Sequence, residues 1–226
     1  RSRFEGMKLT RFTQVSSDMN EADFRGATLT DCQSAGTTFM RADFGETEML
    51  TRTVHEYTRA GAAGFHIEDQ VFPKRCGHLD GKALIPIDHF AEKVATAASA
   101  RDALGNGFVV CARTDAAGVD GIEATIQRAK AYLDAGADMI FPEGLRSEDD
   151  FTRVADELRA YKSGAFLLAN MTEFGKTKLL NTQQLTDLGY NLVIYPVTTL
   201  RLAMKAIEDG LTQIYNEGTQ ENVVPM

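Results

Sequence analysis

From residue 46 onward, helical patterns alternate with short apolar runs, and every run stops on polar or charged residues. The runs cover 64–67, 107–113, 137–141, 165–169 and 192–196. Four of them close on Glu68-Asp69, Arg113-Thr114-Asp115, Pro142-Glu143-Gly144 and Asn170-Met171-Thr172, and the last on Tyr195-Pro196. Helices are expected over 46–61, 87–104, 121–135, 147–161, 182–188 and 198–217, the first before the first run, the last after the last, and one in each interval between runs. Near-continuous apolar runs separated by helices are parallel strands covered on both faces. A doubly wound sheet would gather its polar groups at one crevice, whereas a (β/α) barrel collects them from strand after strand at one end. Polar groups here follow nearly every strand, so the pattern favours the barrel.

The densest stretch is His66-Ile67-Glu68-Asp69-Gln70-Val71-Phe72-Pro73-Lys74-Arg75-Cys76-Gly77-His78. Two carboxylates at the end of a buried strand are expensive without a cation or donors close by. Eight residues past Glu68 stands a cysteine flanked by Arg75 and His78, with Lys74 adjacent, and cations around a thiol favour its thiolate. The plainer alternative makes Glu68 and Asp69 caps, Cys76 a small filler and the cations a solvated loop. Cys111, inside the second apolar run, reads as a buried filler.

A chain of 226 residues buries one good α/β core. Its net charge of −8 argues against nucleic acid or an anionic membrane as partner. No apolar run is long enough to span a bilayer, and residues 1–5 lead into no signal-peptide core. Three cysteines, one of them in a basic loop, fit a reducing compartment better than a disulfide framework, which points to the cytoplasm.

Residues 1–45 have a different texture. Cut into fives, the segment places Phe4, Leu9, Gln14, Met19, Phe24, Leu29, Ser34, Phe39 and Phe44 at the fourth position, seven of nine large and apolar. The second position is mostly small, and Ala22-Asp23-Phe24 and Ala42-Asp43-Phe44 lie in phase. This period resembles the pentapeptide-repeat family, which implies a short right-handed β-helix with four units per coil. Nine units would make little more than two coils, a stub that buries little alone and serves as a structural or interaction module.

From about residue 45 to the end, the blocks resemble the isocitrate lyase and phosphoenolpyruvate mutase superfamily, in particular its 2-methylisocitrate lyase branch. The resemblance rests on His66-Ile67-Glu68-Asp69-Gln70, the Lys74-Arg75-Cys76-Gly77-His78 loop, Ala112-Arg113-Thr114-Asp115-Ala116, Phe141-Pro142-Glu143, Asn170-Met171-Thr172-Glu173-Phe174-Gly175-Lys176-Thr177 and Tyr195-Pro196-Val197-Thr198, in that order. Members acting on phosphonopyruvate generally lack the cysteine, so Cys76 points to the lyases. The resemblance implies a partial TIM-type barrel made of the last five of eight strands, over 46–226. The blocks that accompany the first three strands in relatives, a Ser-Gly loop and an Asp-x-Asp-Thr-Gly motif, are not found. Arg41-Ala42-Asp43-Phe44-Gly45 reads equally as a shortened form of that motif or as one more repeat unit.

The activity so implied is retro-aldol cleavage of a 2-hydroxy tricarboxylate into pyruvate or glyoxylate plus succinate, with Mg²⁺ or Mn²⁺ as cofactor and a homo-oligomer as the working form. By resemblance, Glu68 and Asp43 would contribute to the metal site, and Cys76 would be the general acid, tuned by Lys74 and His78. Arg113 would fork onto a substrate carboxylate, with Arg75, Gly77, Glu143, Asn170 and Thr172 completing the substrate site. The competing class is a non-catalytic scaffold in which the repeat is the interaction module. A third, an oxaloacetate-cleaving relative, fits the cysteine loop less well.

Overall fold

The computed structural model describes residues 3–4, 6–10, 13–15, 22–23, 28–30, 33–35 and 48–223. The first part holds four short strands, β1 (Lys8–Thr10), β2 (Thr13–Val15), β3 (Thr28–Thr30) and β4 (Gln33–Ala35). They pair in parallel, Lys8 opposite Thr28 and Thr13 opposite Gln33, while Arg3 bridges to Asp23. Each partner is thus numbered twenty higher, four units of the five-residue period. A chain that returns beside itself every four units satisfies its backbone hydrogen bonds without any long strand. Asp43 lies outside the described residues.

The second part is a half-barrel. Its elements are α1 (Glu48–Arg59), β5 (Gly64–Glu68), α2 (Ile87–Leu104), β6 (Val109–Thr114), α3 (Ile122–Asp134), β7 (Met139–Pro142), α4 (Glu148–Tyr161), β8 (Phe166–Asn170), α5 (Thr182–Leu188), β9 (Leu192–Ile194) and α6 (Thr198–Glu217). The five strands are parallel and lie side by side in chain order, β5-β6-β7-β8-β9. Every expected element is present, with ends moved by a few residues at most. Two helices start where capping chemistry dictates: Ser147 and Asp150 bond reciprocally ahead of α4, and Asn181 and Gln184 do so ahead of α5. The left-handed residues Gly105, Gly189 and Gly218 end α2, α5 and α6.

Side chains alternate across each strand, so every strand feeds two cores. On the outer face Val110, Ala112, Ile140, Leu167 and Ala169 pack beneath Phe90, Val94, Tyr132, Leu133, Val154 and Leu158 of the helices. Each large side chain so buried contributes about 1.5–3 kcal/mol relative to exposure. On the inner face Cys111, Phe141 and Leu168 form a smaller cluster with Met139 and Ile194. Along this face Cys111, Met139 and Phe166 lie opposite one another by register, Leu168 lies opposite Leu192 further along, and polar groups follow at the strand ends. Helix α6 has no buried residue and leaves Leu200, Leu202, Met204, Ile207 and Leu211 more than half exposed. Among the described residues no helix is long and apolar enough to cross a membrane.

Candidate active site

The upper inner layer is built by register. Glu68 lies opposite Arg113, both on the inner face, and Glu143 follows β7 at the same level as Asn170 at the end of β8. The Arg113 side chain lies over the Phe141 ring, its Cζ 4.8 Å from the ring centre. Its Nε is 2.9 Å from Asp115 Oδ2 and 3.2 Å from Glu68 Oε2, and Nη1 is 3.2 Å from Glu143 Oε2. Burial works against the charge of this guanidinium. The Asp115 hydrogen bond and the charges of Glu143, Asp115 and Glu68 outweigh burial and hold its pKa above the ordinary arginine value.

The adjacent acids separate. Period-two alternation turns Glu68 inward and Asp69 outward, where Asp69 is completely buried behind the sheet. There it accepts hydrogen bonds from the Asp115 amide (3.0 Å), Arg128 (3.2 Å) and the Tyr132 hydroxyl (2.8 Å). Burial first, then the charge of Asp69, raises the Tyr132 pKa far above that of a free tyrosine, so the hydroxyl is a fixed donor. Asp69 therefore supports the site from behind.

The segment after β5 folds back over the strand ends. The side-chain amide of Gln70 exchanges two 2.9 Å hydrogen bonds with the Arg75 backbone, and Lys74 reaches back 2.9 Å to Glu68 Oε2. Gly77 is buried so close to the inner layer that a Cβ there would lie 2.3 Å from Glu143 Cγ and 2.8 Å from Arg113 Nη2. Glycine is required at 77 by space. His78 Nδ1 accepts the Lys176 amide at 3.2 Å, so its neutral ring carries the proton on Nε2, which lies 3.3 Å from Glu143 Oε1.

Around Glu143 the hydrogen bonding is incomplete. His78 Nε2 and Glu143 Oε1 are buried facing each other at 3.3 Å without hydrogen-bond geometry, and Asn170 Oδ1 is buried with no hydrogen-bond partner, although Asn170 Nδ2 donates to Glu143 Oε2 at 3.2 Å. A buried polar atom left unpaired typically costs about 1–3 kcal/mol, and Asn170 Oδ1 beside the loosely paired Glu143 marks a place for a polar ligand.

The structure thus gathers Glu68, Lys74, Gly77, His78, Arg113, Glu143 and Asn170. The cations expected around the thiol each have other partners: Lys74 holds Glu68, Arg75 Nη1 donates to the Asp80 carbonyl, and His78 takes the Lys176 amide. Cys76 is exposed on the same loop, and Thr172 is buried just after β8. Sequence reasoning passed over Lys82, whose ammonium sits in the interior beside Asp115. Its surroundings, Asp80-Gly81-Lys82, carry no signal that separates it from a solvated loop.

Cys111, in the inner-face cluster, is the filler that the apolar run implied; burial pushes its thiol up to about 12. At pH 8 a small alkylating reagent should therefore label Cys76 in the native protein and leave Cys111 unlabelled until denaturant is added. Peptide mapping reads both, and labelling of Cys111 at a rate near that of Cys76 would contradict this packing.

No group of three or more His, Cys, Asp or Glu side chains among the described residues is arranged to hold a metal ion. Glu68, the acid assigned to that role by resemblance, is held between Lys74 and Arg113. The described residues do not by themselves fit a magnesium site.

Comparison with known proteins agrees with this architecture. The family profile described as phosphoenolpyruvate phosphomutase matches residues 40–215, and that for pentapeptide repeats (8 copies) matches 17–49. The chain is 58% identical over 178 residues to "Probable 2-methylisocitrate lyase 1" of Corynebacterium glutamicum, covering 79% of this chain and 56% of that protein. It is 49% identical over 182 residues to the 2-methylisocitrate lyase of Aeropyrum pernix, covering 80% and 56%. It therefore spans little more than half the length of these relatives. Among solved structures, 2,3-dimethylmalate lyase superposes with a TM-score of 0.71 at 37% identity, covering 77% of this chain and 56% of that one. Oxaloacetate acetylhydrolase with 3,3-difluorooxalacetate gives 0.71 at 34% identity, covering 78% and 58%. A family profile that spans residues 40–215, a superposition over three quarters of the chain and this level of identity have one consequence: the chain belongs to the PEP mutase/isocitrate lyase superfamily, with 2-methylisocitrate lyases among its relatives.

Proposed function

We propose that the half-barrel carries the cleavage site of a carbon–carbon lyase of the 2-methylisocitrate type, which releases pyruvate and succinate from a 2-hydroxy tricarboxylate. The observation that carries this reading is the return of the Cys76 loop over the strand ends, which sets the Gly77 backbone against both Glu143 and Arg113. Arg113 offers its fork to a substrate carboxylate, the pairing for which a planar guanidinium is suited. When a general base takes the hydroxyl proton and the C–C bond breaks, the hydroxyl carbon becomes a carbonyl. The bond's electron pair passes to the succinate fragment as an aci-carboxylate. Such a dianion needs fixed positive charge, and Arg113 and Lys74 supply it. Cys76 returns a proton to the departing carbon as general acid. Glu143 and Asn170, with their unused hydrogen-bonding atoms, orient the substrate.

The test is pyruvate and succinate release from 2-methylisocitrate, assayed with and without Mg²⁺. Slow but measurable turnover is expected, with Cys76→Ser lowering it by about 10²-fold or more. Failure to release product or to bind pyruvate or succinate would sink the reading. One observation favours a non-catalytic scaffold instead: three carboxylates already share the Arg113 guanidinium, a balance that holds the site together with no ligand.

A further inference from the structure

We propose that Lys82 is a positioning residue whose buried ammonium ties the Gly77 carbonyl to the Asp115 carboxylate and so fixes the Cys76 loop over Arg113. The Lys82 side chain is 3% exposed and that of Asp115 is fully buried. Lys82 Nζ donates to the Gly77 carbonyl and lies 3.9 Å from Asp115 Oδ1. That same oxygen accepts from Arg113 Nη2 at 3.2 Å, so one carboxylate serves both the loop and the arginine.

A buried ammonium is tolerable only with its partners in place. Lifting the loop would remove the Gly77 carbonyl, so the burial of Lys82 and the closed loop are coupled. The other charged ties, Lys74 to Glu68 and Lys176 to Asp80, involve lysines that are 48% and 42% exposed. Exposed pairs of that kind typically contribute about 0–1 kcal/mol. Among these lysine ties that of Lys82 is the one shielded from water, and it acts on the residue next to Cys76, while His78 Nε2 faces Glu143 Oε1 one residue further on.

A second feature points to the same ammonium. Gly118, in the 3₁₀ turn after β6 (Ala116–Gly118), faces Lys82, and a Cβ there would lie 2.8 Å from Nζ and 3.3 Å from Cε. Its φ is outside the left-handed region, so the need at 118 is room for the lysine. This gives a variant that displaces the ammonium without removing it.

The experiment is amide hydrogen exchange, read by mass spectrometry on the whole chain, for Lys82→Met and Gly118→Ala. Both should speed exchange in peptides covering 74–79 by about tenfold or more, with α3 and β6 unchanged. An increase confined to neither variant's loop, or one no larger than in β6, overturns the proposal. Should Lys82→Met fail to fold, Gly118→Ala decides alone. The catalytic consequence rests on the lyase reading: kcat should fall more than tenfold with KM within about threefold, and equal changes in both would contradict a positioning role. Because the exchange measurement needs no turnover, failure of the lyase reading leaves it intact.

Discussion

Asp69→Ala is expected to lower folding stability by about 3–5 kcal/mol, the usual consequence of removing one partner from a buried ionic cluster. The carboxylate is completely buried and collects the Asp115 amide, Arg128 Nη1 and the Tyr132 hydroxyl at 3.0, 3.2 and 2.8 Å. Alanine leaves all three donors facing a cavity, with the arginine charge uncompensated. For a domain of this size each kcal/mol moves Tm by roughly 2–4 °C, so the melting point should fall by more than about 6 °C. Glu68→Gln is the control. Its partners are the half-exposed Lys74 and Arg113, and Arg113 keeps Asp115 and Glu143, so the loss of stability should stay below that of Asp69→Ala. Denaturant titration of both proteins reads the difference. If Asp69→Ala costs no more than Glu68→Gln, the cluster behind the sheet is not what fixes the end of β6.

That contrast shows how far the sequence could be read. An apolar run that stops on charge locates a strand end because burial and solvation change there, and this placed Glu68, Arg113, Glu143 and Asn170 at one face. It did not separate Glu68 from Asp69; only the two-residue alternation of a strand does, and it sends one acid to the site and the other to α3. The thiol illustrates a second limit. Proximity in sequence put three cations around Cys76, yet Lys74 and Arg75 turn to partners within the same segment, Glu68 and the Asp80 carbonyl, and His78 takes the Lys176 amide from across the fold. Lys82 was hidden for a related reason, since it acts through a backbone carbonyl, which no residue type announces. The five-residue period was legible in outline, and pairing at intervals of four units is what its resemblance to pentapeptide repeats implied. In α6 the apolar residues state that a face is greasy, but periodicity carries no information on what lies against it.

Gly77→Ala should have the largest effect on the proposed activity, lowering kcat/KM by about 10²-fold or more, because a catalytic loop displaced by about 1 Å can lose that much. The added methyl would overlap Glu143 Cγ at 2.3 Å and Cδ at 2.6 Å, and Glu143 has little room to retreat: it is 2% exposed and held by Asn170 and Arg113. Gly77 has no left-handed φ, so alanine brings no backbone strain, and the loop can relieve the clash by lifting away from the site. Stability should therefore change by only about 1–3 kcal/mol, within the range for overpacking, while kcat/KM collapses. Turnover within threefold of the unmodified protein would mean that the docked loop is not the reactive arrangement. Combination with Lys82→Met sharpens the argument. One substitution pushes the loop off from inside and the other releases it from outside, so the open state should be common to both. Two changes that act through one element are non-additive, and the double variant should lose hardly more activity than the more damaging of the two single changes. Independent, multiplying losses would instead require two separate roles, and the tie between Lys82, Gly77 and Asp115 would not be a single device.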